Sequence, residues 1–347
     1  MKNITVLLVL VIIFFPISLI FSQEQPFKNS LDFSFGTHFG FVYGQPVELV
    51  YPSDTAGELL SELIWPMKPV LYLGLQTDLN YSNPAIIFQF FTSLSFRYGF
   101  PGESGTHENR DWMDIETDHL THFSSHTNIT QDFYWLDLVL GVNIPVNKAL
   151  YIKTSINYTW MHFAFSGNDG YGIYARKSTC MPDCLLSNHI RPGCTSNPRI
   201  QHTRYDNINE NPHNVSFSDQ KVIRYKQDWS IFALGVSVGT DILSPISFEL
   251  SFLISPFAYC YSKDEHLLTQ VTYHDYTNKG LFIEPRGLIS FSYRNFVLSL
   301  EAAYRYIGRT RGLSYNNKGS SNYFFQEGEA GASLTLFDMR FLISYRL

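Results

Sequence analysis

Ile86-Ile87-Phe88-Gln89-Phe90-Phe91-Thr92-Ser93-Leu94-Ser95-Phe96-Arg97-Tyr98-Gly99-Phe100 is the stretch that decides the fold. Read two residues at a time, one face carries Ile86, Phe88, Phe90, Thr92, Leu94, Phe96 and Tyr98, and the other carries Gln89, Phe91, Ser93, Ser95 and Arg97. A period of two belongs to a β-strand, whose successive side chains leave opposite sides of the sheet. Here one side suits lipid and the other suits water. A soluble sandwich also alternates, but its packed core has no place for an unpaired charge such as Arg97. Aromatic residues at the ends of the apolar face match the interfacial girdles of a membrane barrel.

The pattern recurs along the chain. Lys153, Ser155, Asn157 and Thr159 oppose Leu150, Ile152, Ile156, Tyr158 and Trp160, and Ser299, Glu301 and Arg305 mark the polar side of Phe296 to Tyr306. Phe and Tyr are abundant (29 and 22 residues). After the N-terminal run no stretch is apolar over the roughly 18 or more residues that a membrane helix requires, so any crossing must be made by strands. Phe, Tyr and Trp outside the loops are read as lipid-facing or girdle residues, among them Tyr158, Trp160, Tyr304 and Tyr306.

The connections set the topology. Short turns at Ser82-Asn83-Pro84, Pro145-Val146-Asn147-Lys148, Ser244-Pro245 and Arg294-Asn295 alternate with polar loops at about 51 to 60, 101 to 122, 166 to 219, 262 to 280 and 309 to 323. This alternation describes an all-β fold: a ten-stranded antiparallel transmembrane β-barrel with short periplasmic turns and long extracellular loops. Closure removes the sheet edges that lipid would leave unpaired. Ten strands leave a narrow interior, filled by side chains such as Arg97, Lys153, Glu249, Glu301 and Arg305, which places a porin last among the functions.

Residues 1–22 read as a signal peptide: Lys2, an apolar run from Ile4 to Phe21 interrupted by Pro16, then Ser22 before Gln23. The barrel is expected over 23–347, as one domain. The net charge is −6, and loss of Lys2 makes it one more negative. With no basic stripe to follow a phosphate backbone, nucleic acid is excluded as a partner. The chain has four cysteines; Cys180, Cys184 and Cys194 share one polar loop, where an oxidising compartment permits a disulfide between two of them, and Cys260 stands apart. His119, His122 and His126, with Asp118, form the nearest approach to a metal set. On a strand His119 faces away from the other two, so no metal is expected.

Reactive groups cluster on the long-loop side, in Asn109-Arg110-Asp111-Trp112-Met113-Asp114 and Lys263-Asp264-Glu265-His266, with Glu48 near the top of the first strand. Asp264 and His266 share a face, as do Asn109 and Asp111. An Asp beside a His orients the imidazole and leaves the other ring nitrogen to accept a proton. Glu48 has the parity of Asp32, Ser34 and His38 and faces the lumen. From inward Glu249 to Asp264 the step is odd, which demands a bulge, most naturally at Pro256. The bland alternative is that these are solvated loop residues, since an Asp-x-His pair arises easily by chance in a chain with 11 His.

Asp111-Trp112-Met113-Asp114, Asp264-Glu265-His266 and Gly44-Gln45-Pro46-Val47-Glu48-Leu49-Val50-Tyr51 resemble three segments of the omptin family, in the order and approximate spacing of that family. Tyr225-Lys226-Gln227 is a weaker fourth. The resemblance implies an outer-membrane endopeptidase of aspartic type, needing no cofactor, acting on polypeptides at the cell surface and embedded in outer-membrane lipid. By the same resemblance Asp264 orients His266, His266 is the general base for a water nucleophile, Asp111 is the outer member of an acidic pair, and Glu48 lies in a pocket that selects a basic residue. Two positions depart from the pattern. Asn109 replaces the inner acid, with Glu108 as a substitute if the loop is irregular, and Ser262 replaces a second pocket acid. Losing one preorganised group costs on the order of a hundredfold in rate. The alternative is therefore a proteolytically impaired barrel that acts in adhesion or binding through its loops.

Overall fold

The computed structural model describes residues 30–52, 59–83, 85–113, 119–147, 149–179, 203–205, 207–209, 212–317 and 324–347. Residues 1–22, expected as a signal peptide, lie outside them, as do Asp114, Asp118, Cys180, Cys184 and Cys194. Ten staves follow in chain order: β1 (Ser30–Val50), β2 (Ser61–Ile64 and Met67–Ser82), β3 (Gln89–Gly99 and Gly102–Asp111), β4 (His122–Pro145) and β5 (Leu150–Tyr174). They continue with β6 (Lys221–Leu243), β7 (Ile246–Ser255 and Ala258–His266), β8 (Val271–Asn278 and Phe282–Tyr293), β9 (Phe296–Ile307 and Arg311–Asn316) and β10 (Phe324–Arg346). Each pairs antiparallel with its neighbours in sequence, and β10 returns to β1, with Ser34 opposite Arg346 and Val50 opposite Ala330. The sheet is thus closed and has no edge, which is what lipid demands.

The exterior bears out the alternation. Phe90, Leu94, Phe96 and Tyr98 of β3 are exposed, as are Leu71, Leu73 and Leu75 of β2 and Phe248, Leu250, Phe252 and Ile254 of β7, while Ser95 and Arg97 are buried. A belt of this kind on a closed sheet is the surface of a membrane-spanning barrel. Strands end and resume on either side of the four short turns, although after the first of them the strand resumes at Gln89 rather than at Ile86.

The long-loop side differs from expectation. β6 runs for 23 residues, about twice the 9–11 or so needed to cross a bilayer, and the segments 102–111, 258–266, 271–278 and 311–316 are strands rather than loops. Their polar composition marks a wall standing above the membrane in water, with its backbone groups paired across the sheet as burial requires. Staves break near the membrane rim at Pro66, Pro101, Pro256 and Gly280. Proline cannot donate to the ladder, so it sits where the strand is interrupted. The break at Pro256 shifts the parity of β7: Ser251 and Leu253 face inward before it, and Ala258, Cys260, Ser262 and Asp264 face inward after it.

Charge and aromatic packing divide the interior between them. Arg97 bonds Asp137 at 2.9 Å and Asp338 at 2.7 Å, Arg340 bonds Glu301 at 2.9 Å, and Glu284 is shared by Arg286 and Arg305. Arg97 and Arg305 also lie over the Trp135 indole, 4.0 and 4.1 Å from its centre. Beneath this plug is a polar cavity of about 450 Å³ containing the 2.6 Å Lys153–Glu249 pair. Above it Tyr72, Phe133, Phe163, Phe165, Trp65 and Trp229 form a buried core. This corrects the assignment of aromatics to the lipid face alone: where the barrel rises above its charged plug, the lumen is packed like the interior of a soluble protein. At that level it is filled, not open.

Candidate active site

The wall above the core carries the candidate residues. On β7, Asp264 is buried and its Oδ2 accepts a 2.6 Å hydrogen bond from His266 Nε2, leaving Nδ1 as the free ring nitrogen. A two-residue spacing on a strand suffices to stack the two side chains. His266 is the accessible member, its side chain 37 % exposed against 3 % for Asp264. The Asp264 carboxylate holds the imidazole above its ordinary range, with burial opposing and Asp111 assisting.

Asp111 and Asn109 come from β3. Ser61 of β2 donates to Asp111 Oδ1 at 2.6 Å and also lies 3.2 Å from Asn109 Oδ1; Asn109 Nδ2 is 3.4 Å from Asp111 Oδ2. Burial pushes the Asp111 carboxyl up to about 6, against the Ser61 hydroxyl, the His266 charge and the Asn109 amide, all of which favour its ionised form. Asp111 and His266 thus act on each other's charge from β3 and β7, staves well separated around the barrel. Glu108 is no substitute for the missing acid. The strand is regular there, and Glu108 pairs with Arg110 at 2.6 Å on the outer side.

Glu48 is buried on β1, and its Oε2 has no hydrogen-bond partner. Burial, followed by repulsion from Asp264 and Asp275, raises its pKa well above the usual carboxylate range. Ser262 is buried on β7, two residues before Asp264, and donates to Asp275 of β8 at 3.4 Å. Tyr225 and Gln227 also enter the set: Gln227 Nε2 donates to the Tyr225 hydroxyl at 2.6 Å and to Val47 O at 3.1 Å.

Several residues escaped the sequence reading. Trp65, buried in the core, stacks on Tyr225 (5.1 Å, 9°) and on His107 (3.8 Å, 17°). His107 donates from Nδ1 to Ile64 O at 3.0 Å, and burial beside His126 pushes it down to about 3, so it is neutral at working pH. The signal was available, since His107 shares the two-residue spacing of Asn109 and Asp111. His126 bonds Asp169 O at 2.6 Å, and among the described residues no three potential ligands converge on a metal position.

The fold and this arrangement meet a known family. The model of the Omptin family matches residues 29–185 and 201–347. Among solved structures, the outer membrane protease OmpT from Escherichia coli is similar over 94 % of this chain and 100 % of its own, at a TM-score of 0.74 and 14 % identity. The translocator domain of the autotransporter NalP from Neisseria meningitidis (8 % identity, 92 % and 90 % covered) scores 0.37, and the toluene transporter TodX from P. putida (7 %, 92 % and 91 %) scores 0.31. No curated protein matches the sequence significantly. With nearly the whole described barrel covered by the family model, the chain belongs to the Omptin family.

Proposed function

We propose that the chain is an outer-membrane endopeptidase that hydrolyses polypeptides at the cell surface with a water activated by His266. The observation that carries this reading is the hydrogen-bonded Asp264–His266 couple, its imidazole accessible, with Asp111 acting on the charge of that imidazole from another stave. A neutral imidazole and a carboxylate opposed in this way can hold a water between them. His266 takes a proton from that water as its oxygen attacks the peptide carbonyl, and returns the proton to the leaving amine. Asp264 keeps the imidazole oriented and stabilises its cationic form. Asp111 accepts a hydrogen bond from the water and balances the imidazolium. The chemistry calls on no metal or cofactor.

In this account residues 1–22 are the export leader, 23–347 form the barrel, and the groove faces the cell exterior. Asn109 favours one competing reading, a barrel that has lost proteolysis and binds through its loops. Cells displaying the protein separate the two: an added fluorogenic peptide is cleaved by cells carrying the wild type and left intact by cells carrying His266→Ala. Equal cleavage by both would remove His266 from the mechanism.

A further inference from the structure

Above the membrane one strand of the wall has a free edge. His213–Ser216 pairs antiparallel with β5, His213 opposite Tyr174 and Ser216 opposite Tyr171, in line with β6 and separated from it by a bulge at 217–220. Phe217 N donates to Gly170 O at 3.0 Å, which sets the phase of the ladder. His213 and Val215 bond β5, while the N–H and C=O groups of Asn214 and Ser216 point the other way. Among the described residues no strand and no backbone group meets them there. Both residues are exposed.

The free edge adjoins the reactive couple. On that side of β6 the neighbour is β7, which ends at His266 opposite Ile223, with Leu267 N donating to Val222 O. The edge therefore borders the line along which β7 would continue if it were longer. Ser216 lies opposite Tyr171 of β5 and Ile223 opposite Gly167, so the edge begins about four residues, roughly 13 Å, beyond the rung of His266. It also ends the rung that starts at Asp111 and runs through His122 and Tyr174 to His213. The strand is pinned from below: Phe217 is buried against His126, ring centres 5.2 Å apart, and Asp169 Oδ1 accepts a hydrogen bond from Asp219 N at 2.7 Å. An edge this short discourages pairing between whole sheets. It still offers two donors and two acceptors at the spacing of an extended chain.

Building on the protease reading, we propose that the edge of His213–Ser216 receives the polypeptide substrate as one more antiparallel strand, so that the groove recognises the main chain of an extended segment. An antiparallel strand in line with β7 runs upward from His266. The residues on the carboxyl side of the cleaved bond therefore lie along the edge, beginning about four residues beyond that bond. Asn214 and Ser216 hold it through backbone groups that every sequence possesses, which makes this contact independent of substrate side chains.

The test removes backbone donors from each partner in turn. Proline at an edge position deletes an outward N–H and no ladder bond, so Asn214→Pro and Ser216→Pro are compatible with the sheet. A cleavable peptide is also prepared with its amides on the carboxyl side N-methylated one at a time. KM is expected to rise about fivefold for each hydrogen bond lost, with the effect on KM rather than kcat. The N-methyl effect alternates along the segment, because only every second amide faces the edge. Unaltered KM in both proline variants, or N-methylation that acts evenly or not at all along that segment, overturns the proposal; the N-methyl series decides alone if a proline variant fails to fold. Binding of a fluorescein-labelled peptide to His266→Ala, read by anisotropy, separates the edge from the chemistry. If the wild type cleaves no peptide, the protease reading fails by itself: binding that weakens when Asn214→Pro or Ser216→Pro is added supports the edge, and binding that is absent or unchanged overturns it.

Discussion

Asn109→Asp tests whether this site works best with one negative charge opposite its base or with two. In the wild type the Asn109 amide nitrogen lies 3.4 Å from Asp111 Oδ2, where it favours the ionised carboxylate. Exchanging it for a carboxylate oxygen at that distance sets two charges against each other at about 5 kcal/mol for an effective dielectric near 20. That corresponds to between roughly 3 and 4 pKa units, and relaxation that halves it still leaves nearly two. Because Asp111 already sits at about 6, the second ionisation of the new pair falls well above neutrality. At pH 7 the variant pair shares one proton and carries the same single charge as the wild type.

The expected kcat/KM at pH 7 therefore stays within about tenfold of wild type, a difference of only about 1.4 kcal/mol in barrier, and any gain emerges as a second rise in alkaline solution. The assay is a pH profile of fluorogenic peptide cleavage. A hundredfold gain at pH 7 with a single ascending limb would refute the reasoning, because it would mean that the pair ionises twice in a water-like dielectric. On this argument the hundredfold penalty assigned to Asn109 from sequence is too large: the amide and Ser61 together keep Asp111 charged.

Asp264→Asn removes the carboxylate that holds His266 above its ordinary range. The base must be neutral to accept a proton, so wild-type activity rises with pH through that raised pKa, and the variant limb moves to lower pH while its plateau falls by about 10²- to 10⁴-fold; an unmoved limb would dissociate Asp264 from the base. Arg97→Ala strands Asp137 and Asp338 inside the barrel and is expected to lower unfolding stability in urea by about 3–5 kcal/mol. Lys153→Ala, at a pair whose lysine is 27 % exposed, should cost about 1 kcal/mol or less. Equal losses would contradict the charged plug as the girder of the lumen.

The fold was legible because lipid on one side and water on the other imprint a period of two on each membrane strand, and short turns punctuate it. Arg97, Lys153 and Glu301 were accordingly placed inward from parity alone. The bulge at Pro256 was legible for a similar reason, since a strand with inward Glu249 and inward Asp264 has one residue too many. What failed is the wall above the membrane. With water outside and a packed core inside, inward Phe133 and Phe163 look like lipid-facing residues, and polar strands look like loops. Asp275 was lost with them: its position beside Ser262 is a cross-strand register fixed by the turn at 267–270, although the β-rich run Val271-Thr272-Tyr273 offered a hint of the hairpin.

The central claim is that a water activated by His266 is the nucleophile of this groove. Purified refolded wild type and His266→Ala are incubated side by side with a fluorogenic peptide library holding basic and non-basic sites, in water enriched in ¹⁸O, and the products are read by mass spectrometry. The account predicts that wild type cleaves beside basic residues, that the new carboxyl group carries the label after a single turnover, and that His266→Ala leaves the library intact. Cleavage that persists in His266→Ala, or a wild type that cleaves nothing while Asn109→Asp does, would contradict it.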